Sequence, residues 1–159
     1  MTPDQVDGYV KSIRRVIGPR LLLLPGVAVL VTDSDGRILM VEQSDRQCWS
    51  TVGGAIEPRE SPVDAAVREA LEETGLHVEV SSLVGVAGGS GYDITYPNGD
   101  ECSYVSIVYR AHVIGGTLTP DGHEVVQCRW VHPADLSALN LSTFTSTLLT
   151  EIGIIPADA

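Results

Sequence analysis

Apolar residues follow two rhythms along the chain, one typical of helices and the other of strands. Between residues 4 and 17 they recur every three or four positions, which predicts an amphipathic helix that ends at Gly18-Pro19. Residues 21–32 and 37–42 are rich in aliphatic side chains and flank a turn sequence at 33–36. These two segments therefore predict neighbouring strands.

A second helix carries start and stop signals at both of its ends. Ser61 suits the N-cap, Pro62 the first helical position, and Asp64 supplies an acid at the third. Gly75 favours a C-terminal stop. The pattern predicts a helix over residues 62–74, whose apolar side is formed by Val63, Ala66, Val67, Ala70 and Leu71.

Strand patterns surround this second helix. Residues 49–52 and 76–86 are strand-like, and apolar positions alternate from 92 to 96. Asn98-Gly99 is a strong hairpin signal, so residues 101–114 should return antiparallel. A further strand is predicted at 124–131 and a closing helix at 141–152. Helices separated by hairpin-connected strands predict an α+β fold with a mixed β-sheet, in one domain covering residues 1–159.

The charge of the chain limits its partners. Its 159 residues carry 10 Lys+Arg against 21 Asp+Glu, a formal net charge of −11. Nucleic acids are therefore disfavoured as partners, because their binding normally depends on Lys and Arg. If the ligand is a phosphate ester, a divalent metal held by carboxylates is the expected source of positive charge.

The cysteines and the apolar runs bear on location. Cys48, Cys102 and Cys128 are scattered singly, which argues against a disulfide framework or a zinc site and fits a reducing compartment. The longest apolar run is broken by Pro25-Gly26 and is too short to span a bilayer. The first ten residues show no secretory signal. We therefore expect a cytoplasmic protein without a membrane partner.

The candidate chemistry lies on the second helix. Glu69, Glu72 and Glu73 are spaced three and four residues apart, so they fall within an arc of roughly 100°. Like charges at this spacing each destabilise a helix by a few tenths of a kcal/mol, and Arg68 offsets only part of that. A solvated acidic face is the simple interpretation, whereas a bound cation would remove the repulsion altogether.

The segment before the helix favours a cation. Gly53-Gly54 allows close approach of the backbone, and Glu57 and Glu60 lie in the loop that leads to Ser61. Carboxylate oxygens with positions left for water and phosphate are the surroundings that Mg²⁺ prefers. The sequence therefore predicts an oxygen-ligand metal site.

Taken together, the spacing Gly54-x5-Glu60-x7-Arg68-Glu69-Ala70-x-Glu72-Glu73-x-Gly75-Leu76 matches the Nudix box over residues 54–76. The chain thus resembles the Nudix hydrolase family. The resemblance implies an α/β/α sandwich and metal-dependent cleavage of a pyrophosphate bond in a nucleoside diphosphate derivative or nucleoside triphosphate. It further implies Mg²⁺ as cofactor, with Mn²⁺ as the alternative, and a small nucleotide-type substrate. A homodimer stays open.

The resemblance also assigns roles to residues. Glu72, Glu73 and Arg68 are the expected catalytic residues, Arg68 by orienting a carboxylate through paired hydrogen bonds. Gly53, Gly54 and Arg59 are expected near the substrate. The expected metal ligands are Glu69, Glu72 and Glu73, with Glu57 and Glu124 as further candidates.

Three positions depart from the family pattern without removing a ligand. Ala70 stands in place of a larger aliphatic residue, Val52 replaces a common Pro, and Arg59 occupies a position that is often Gly. Arg59 matters most, because it either changes the backbone there or places a cation beside phosphate.

Other interpretations compete with the enzyme. The first is a catalytically silent Nudix-fold module that senses nucleotides, and the second is an oligomeric scaffold supported only by the apolar N-terminal helix. Tyr92, Tyr96 and Tyr104 could stack on a base, but their alternation favours packing in the sheet. The four histidines share no ligand spacing and are interpreted as structural or exposed.

Overall fold

A computed structural model describes residues 8–157 and places most of them around one mixed β-sheet. The elements in chain order are α1 (Tyr9–Ile17), β1 (Leu22–Thr32), β2 (Ile38–Gln43), β3 (Cys48–Ala55), α2 (Pro62–Thr74), β4 (Leu76–Ala87), β5 (Asp93–Thr95), β6 (Glu101–Gly116), β7 (Val125–Val131) and α3 (Thr143–Glu151). Two short 3-10 helices, Ser90–Tyr92 and Pro133–Ala138, complete the order.

The sheet has seven strands and combines both pairing directions. Its order is β4-β6-β1-β3-β2-β7, with β5 paired to β6 and an additional β1–β2 pairing. The long β1 and β6 run parallel, from Leu22 opposite Cys102 to Thr32 opposite His112, whereas the other pairs are antiparallel. The predicted α+β class with a mixed sheet is confirmed.

Helices cover both faces of the sheet, each over its own apolar core. On one face, α2 packs Ala65, Ala66 and Ala70 against valines of the central strands. On the other face, Leu148 and Leu149 of α3 lie in a cluster with buried side chains of β1 and β2. The structure is therefore the expected α/β/α sandwich.

The capping signals set both ends of α2. The Ser61 hydroxyl accepts a hydrogen bond from the Asp64 backbone N–H at 3.1 Å, and Pro62 opens the helix. At the other end, Gly75 takes φ +73°, and its N–H donates to the Leu71 carbonyl. The predicted bounds, 62–74, are confirmed.

Other predicted elements need correction. Of the helix predicted over 4–17, residues 9–17 are helical, and residues 4–7 lie outside the described residues. Tyr92 belongs to a 3-10 helix, so the strand begins only at Asp93. The physical reason is that the Tyr92 ring is buried against Phe144, and its hydroxyl donates to Glu151 at 2.5 Å. The closing helix is shorter than predicted, and the 3-10 helix at 133–138 was not predicted.

Across residues 8–157, no helix is both long and apolar enough to cross a bilayer.

Candidate active site

The pair Gly53-Gly54 brings β3 against its neighbours more closely than any side chain would allow. A Cβ added to Gly53 would collide with the Val27 carbonyl oxygen of β1. A Cβ added to Gly54 would lie 2.6 Å from Cδ of Glu69 on α2. The two glycines are therefore required because the strand backbone contacts a carboxylate directly.

Two glutamates of α2 are buried at this contact. Glu69 is 9% exposed and Glu73 is 3% exposed. The Gly53 backbone N–H donates to Glu73 Oε1 at 3.1 Å. The other oxygen, Glu73 Oε2, is buried without a hydrogen-bond partner among the described residues. An ionised carboxylate in this position is therefore incompletely solvated and incompletely paired.

Burial changes the protonation of both acids. It raises the pKa of Glu69 to about 7, and the guanidinium of Arg68 opposes only part of this effect. Burial also raises the pKa of Glu73 well above its ordinary value, and the negative charge of Glu69 raises it further. Glu124 adds to both effects through its own charge. A bound cation would reverse this preference for the neutral forms.

Arg68 joins the loop to the helix. Its guanidinium donates twice to Glu60, from Nε to Oε2 at 2.7 Å and from Nη2 to Oε1 at 2.9 Å. It also donates to the Ala55 carbonyl oxygen, to Glu69 Oε1 at 3.0 Å and to Glu72 Oε2 at 3.1 Å. The two hydrogen bonds from Arg68 to Glu60 hold the pKa of Glu60 below its ordinary value. Arg68 thus contacts three carboxylates at once and pairs with Glu60 through two hydrogen bonds.

The acids open into a cavity of about 420 Å³ that is lined in part by residues of the neighbouring strands β6, β1 and β3. Glu69, Glu73 and Glu124 line one part of it, together with Gly53 and Gly54. The rest of the lining is neutral and partly aromatic. A ligand that carries both a polyanionic group and a flat apolar group can therefore fit this cavity only if a cation binds beside the acids.

The structure distinguishes among the residues that the sequence selected. Gly53, Gly54, Glu69, Glu73 and Glu124 meet at the cavity. Arg68, whose contacts are given above, lies outside the cavity lining of the described chain, and so do three others: Glu72, Glu57 and Arg59.

Each of these three has a separate setting. Glu72 is exposed and paired with Arg68. The Glu57 backbone N–H donates to Glu60. Arg59 is exposed and takes φ +67°, a conformation in which glycine costs less strain.

A divalent cation fits the donor set. Within residues 8–157, no group of three or more His, Cys, Asp and Glu side chains stands preformed as a cation site, and Arg68 engages Glu60, Glu69 and Glu72 in this state. The unpaired Glu73 Oε2 and the raised pKa of two adjacent carboxyls nevertheless call for positive charge at this point. Hard oxygen donors of this kind suit Mg²⁺ or Mn²⁺.

Sequence analysis missed part of the lining. Tyr96 and Tyr104, which were interpreted as packing in the sheet, both line the cavity, with Phe144 beside them. These two tyrosines thus line the cavity and also contact each other through their hydroxyls, so base stacking and packing both stay predictions for them. Tyr92 is a core residue as expected. The available signal was Gly26, whose missing side chain leaves room at the Tyr104 ring.

Known proteins show clear similarity to this chain. Residues 22–151 match the family model of the NUDIX domain. A Bacillus subtilis (strain 168) protein named provisionally as an 8-oxo-dGTP diphosphatase is 33% identical over 111 residues, 70% of this chain and 68% of that protein. An ADP-ribose pyrophosphatase of Methanocaldococcus jannaschii is 39% identical over 103 residues, 62% of this chain and 57% of that protein. The crystal structure of a MutT NUDIX hydrolase from Burkholderia pseudomallei, 26% identical, superimposes with a TM-score of 0.66, covering 80% of this chain and 96% of that one.

Proposed function

Because the chain belongs to the Nudix hydrolase family and is a pyrophosphohydrolase acting on nucleotide derivatives, we propose that it requires Mg²⁺, with Mn²⁺ as an alternative. We further propose that it cleaves a nucleoside diphosphate derivative or a nucleoside triphosphate. Water adds to one phosphorus atom of the pyrophosphate, the bridging P–O bond breaks, and two phosphate products leave. The relatives' names mention different nucleotides, so the substrate has to come from this chain's own cavity.

The observation that carries the proposal is the pair of buried carboxyls, Glu69 and Glu73, at the end of the cavity. Both prefer their neutral forms without a cation, and Glu73 Oε2 has no hydrogen-bond partner among the described residues. A bound divalent ion would neutralise the diphosphate and lower the pKa of a water molecule. The cost of burying these acids is then understandable as preparation for that ion.

We assign the following roles. Glu69, Glu72 and Glu73 would hold the metal, with Glu57 and Glu124 as further candidates. One of the carboxylates that stays free of the metal would accept the proton of the attacking water. Arg68 is a positioning residue, because its contacts are to Glu60, Glu69, Glu72 and a backbone carbonyl. Gly53 and Gly54 would contact the substrate beside the acids, because both line the cavity there, and Arg59 stays a candidate at the loop.

The charge of the cavity supports the need for a metal. Arg46 is the single Lys or Arg in its lining, within the part of the chain that the structure describes. A diphosphate carries at least two negative charges and would meet Glu69, Glu73 and Glu124 in the same cavity. One arginine is insufficient to offset this repulsion, whereas divalent ions act directly on phosphate oxygens.

The test is product release from a panel of nucleoside triphosphates, nucleotide sugars and dinucleoside polyphosphates, with Mg²⁺, Mn²⁺ or EDTA. Wild type should cleave one class in a metal-dependent manner, and Glu73→Gln should lose most turnover while keeping the fold. Glu79→Gln, which removes an exposed carboxylate of β4, is the matched control. Near-wild-type turnover by Glu73→Gln would refute its role, and tight nucleotide binding without product would favour a nucleotide sensor.

We also propose that the protein acts in the cytoplasm and leave a homodimer as the assembly to be tested. The three cysteines, Cys48, Cys102 and Cys128, are free thiols, which supports a reducing compartment. Light scattering on the purified protein would decide the oligomeric state.

A further inference from the structure

The cavity has a second end whose chemistry differs from that of the acids. Five apolar or aromatic side chains line it, and we call them the aromatic end: Val10, Ile94, Tyr96, Tyr104 and Phe144. The Tyr96 and Tyr104 hydroxyls lie 3.3 Å apart. The Tyr104 and Phe144 rings meet edge to face, with centroids 6.1 Å apart. Rings held against one another in this way form a firm surface for another flat group.

Gly26 of β1 makes room for this surface. A Cβ at Gly26 would lie 3.0 Å from Cδ1 of Tyr104 and 3.1 Å from Oγ of Ser106. Both distances are shorter than ordinary contacts of a side chain, so a larger residue would displace the ring or the hydroxyl. The absence of a side chain on β1 thus keeps the Tyr104 ring and the Ser106 hydroxyl at the cavity.

Neutral polar groups also line the cavity. Gln43, Ser50 and Ser106 line the cavity, and the Gln43 side-chain amide donates to the Ser50 hydroxyl at 2.9 Å. Such groups can exchange hydrogen bonds with the edge of a heteroaromatic ring, whose faces are apolar. A lipid chain would leave them unsatisfied. The lining therefore favours a flat group with a polar rim, joined to a polyanion that reaches the acids.

Tyr96 already has a planar cation beside its ring. It lies next to the turn of the β5–β6 hairpin, and the guanidinium of Arg46 lies 5.4 Å from its ring centroid. Arg46 also lines the cavity. A planar cation thus already uses this ring as a stacking partner, as a nucleobase could.

The N-terminal helix holds the hairpin in place through Arg14. Its side chain is 11% exposed and donates to the Glu101 carbonyl oxygen at 2.6 Å and to Cys102 Sγ at 3.2 Å. It also forms an ion pair with Asp100 at 3.7 Å and donates to two carbonyl oxygens just after α1. The same helix contributes Val10 to the cavity. The family model begins at residue 22, so α1 precedes the residues that it matches.

We propose that the aromatic end binds the nucleobase of the substrate, with Tyr96 as the stacking residue. Arg14 is a positioning residue, because it holds in place the β5–β6 hairpin beside which Tyr96 lies. The inference rests on the proposed function at one point, which is that the diphosphate of the same substrate binds beside the acids. The substrate is then a compound with a heteroaromatic base, and base-free diphosphates are bound through their phosphates alone.

Binding of nucleosides tests the inference separately from catalysis. Metal-free protein in EDTA is titrated calorimetrically with adenosine, guanosine, cytidine and uridine. We expect at least one to bind, and Tyr96→Ala to weaken it about 5- to 150-fold, the range for loss of one base–aromatic stack. Tyr96→Phe, which keeps the ring, should retain most of the affinity. Tyr9→Ala, which removes an exposed tyrosine of α1, is the control.

Kinetics give the second measurement. For the nucleotide that the wild type cleaves, Tyr96→Ala and Arg14→Ala should raise KM by a similar factor and change kcat little. Arg14→Lys keeps the charge but has fewer hydrogen-bond donors, so its KM should lie between those of the wild type and Arg14→Ala. KM for 5-phosphoribosyl 1-diphosphate, which has no base, should not change. Circular dichroism checks that each variant is folded, and Tyr96→Ala serves if Arg14→Ala fails to fold.

The outcomes separate the two proposals. Nucleotide turnover whose KM is insensitive to Tyr96→Ala would overturn the nucleobase site and leave the hydrolase intact. Absence of nucleoside binding to the wild type would also overturn the site. Nucleoside binding that depends on Tyr96, without turnover of any nucleotide, would support the site while the proposed function fails.

Discussion

The burial of Glu69 predicts that the metal-free protein loses stability as the pH rises. Its carboxyl is 9% exposed, and burial raises its pKa from 4.5 to about 7. In the unfolded chain the same carboxyl ionises near its ordinary pKa of about 4.3. Between these two values the folded protein holds a proton that the unfolded chain has released.

The sign and size of the effect follow from this difference. A group with a raised pKa in the folded state contributes stability that is present below its unfolded pKa and lost as the pH rises through its folded pKa. One pKa unit corresponds to about 1.4 kcal/mol. Raising the pKa of Glu69 to about 7 therefore lowers the free energy of unfolding by about 3 kcal/mol at pH 8.5, relative to pH 4.

Glu69→Gln is the perturbation that isolates this effect. Gln keeps the size of the side chain and an oxygen that can accept from Arg68, but it does not ionise. The variant should therefore gain stability over the wild type by about 3 kcal/mol between pH 4 and pH 8.5. Because the charge of Glu69 also raises the pKa of Glu73, its loss acts in the same direction there.

The assay is urea unfolding in EDTA from pH 4 to pH 8.5, followed by the fluorescence of Trp49 and Trp130. Glu72→Gln is the matched control, because it removes the same charge from the same helix at a side chain that is 57% exposed. Its effect should stay within about 0.5 kcal/mol. Mg²⁺ at 100 times its Kd should then restore about 2.7 kcal/mol to the wild type at pH 8.5.

One result would refute the reasoning. If the unfolding free energies of wild type and Glu69→Gln run parallel from pH 4 to pH 8.5, Glu69 ionises freely in the folded protein. The buried acids would then be no preparation for a cation, and the main support for the metal site would be lost.

Two further changes test the backbone around the acids. Gly54→Ala places a Cβ 2.6 Å from Cδ of Glu69 and should sharply reduce metal-dependent kcat. Gly85→Ala is the control, because its Cβ meets nothing within 4 Å and kcat should not change. Equal activities of the two variants would contradict the close contact at Gly54. Ser61→Ala removes the N-cap hydrogen bond to the Asp64 N–H and should lower the unfolding free energy by about 1 kcal/mol in thermal melts, so an unchanged Tm would argue against the cap.

The sequence predicted α2 and its neighbourhood well because the signals there are local. Ser61, Pro62 and Gly75 act within a few residues of their own positions, so the ends of the helix follow from propensity and capping alone. The family spacing then located the acids on this helix. The match of residues 22–151 to the NUDIX domain model confirms the family.

The sequence could not predict which of the three glutamates would be buried. The spacing places Glu69, Glu72 and Glu73 on one arc of α2 but does not say which edge of the arc faces β3. Contact with Gly54 decides this, and it buries Glu69 and Glu73 while Glu72 stays exposed beside Arg68. The assignment of Glu72 as a metal ligand alongside Glu69 and Glu73 therefore stays a prediction that metal titration of Glu72→Gln and Glu69→Gln must test.

The aromatic end could not be predicted from local sequence signals either. Tyr96 and Tyr104 come together across a hairpin, and Tyr104 meets the cavity only because β1 and β6 pair in parallel with Leu24 opposite Tyr104. The two strands are about 80 residues apart in the chain, so neither alternation nor turn propensity reveals the pairing. Val10 joins them from a helix that precedes the family-matched residues.

Three local costs coincide at one point of the structure. Two adjacent glycines weaken β3, like charges repel along α2, and Glu73 Oε2 is buried without a hydrogen-bond partner among the described residues. Separate structural explanations would have to account for each of these costs. A single divalent cation would offset the repulsion, pair the oxygen and bind the Glu69 carboxylate that Gly54 allows to lie against β3. Violations of local rules concentrate at functional sites, and here one ligand resolves all three, which is why the metal-dependent hydrolase is a better account than an acidic surface.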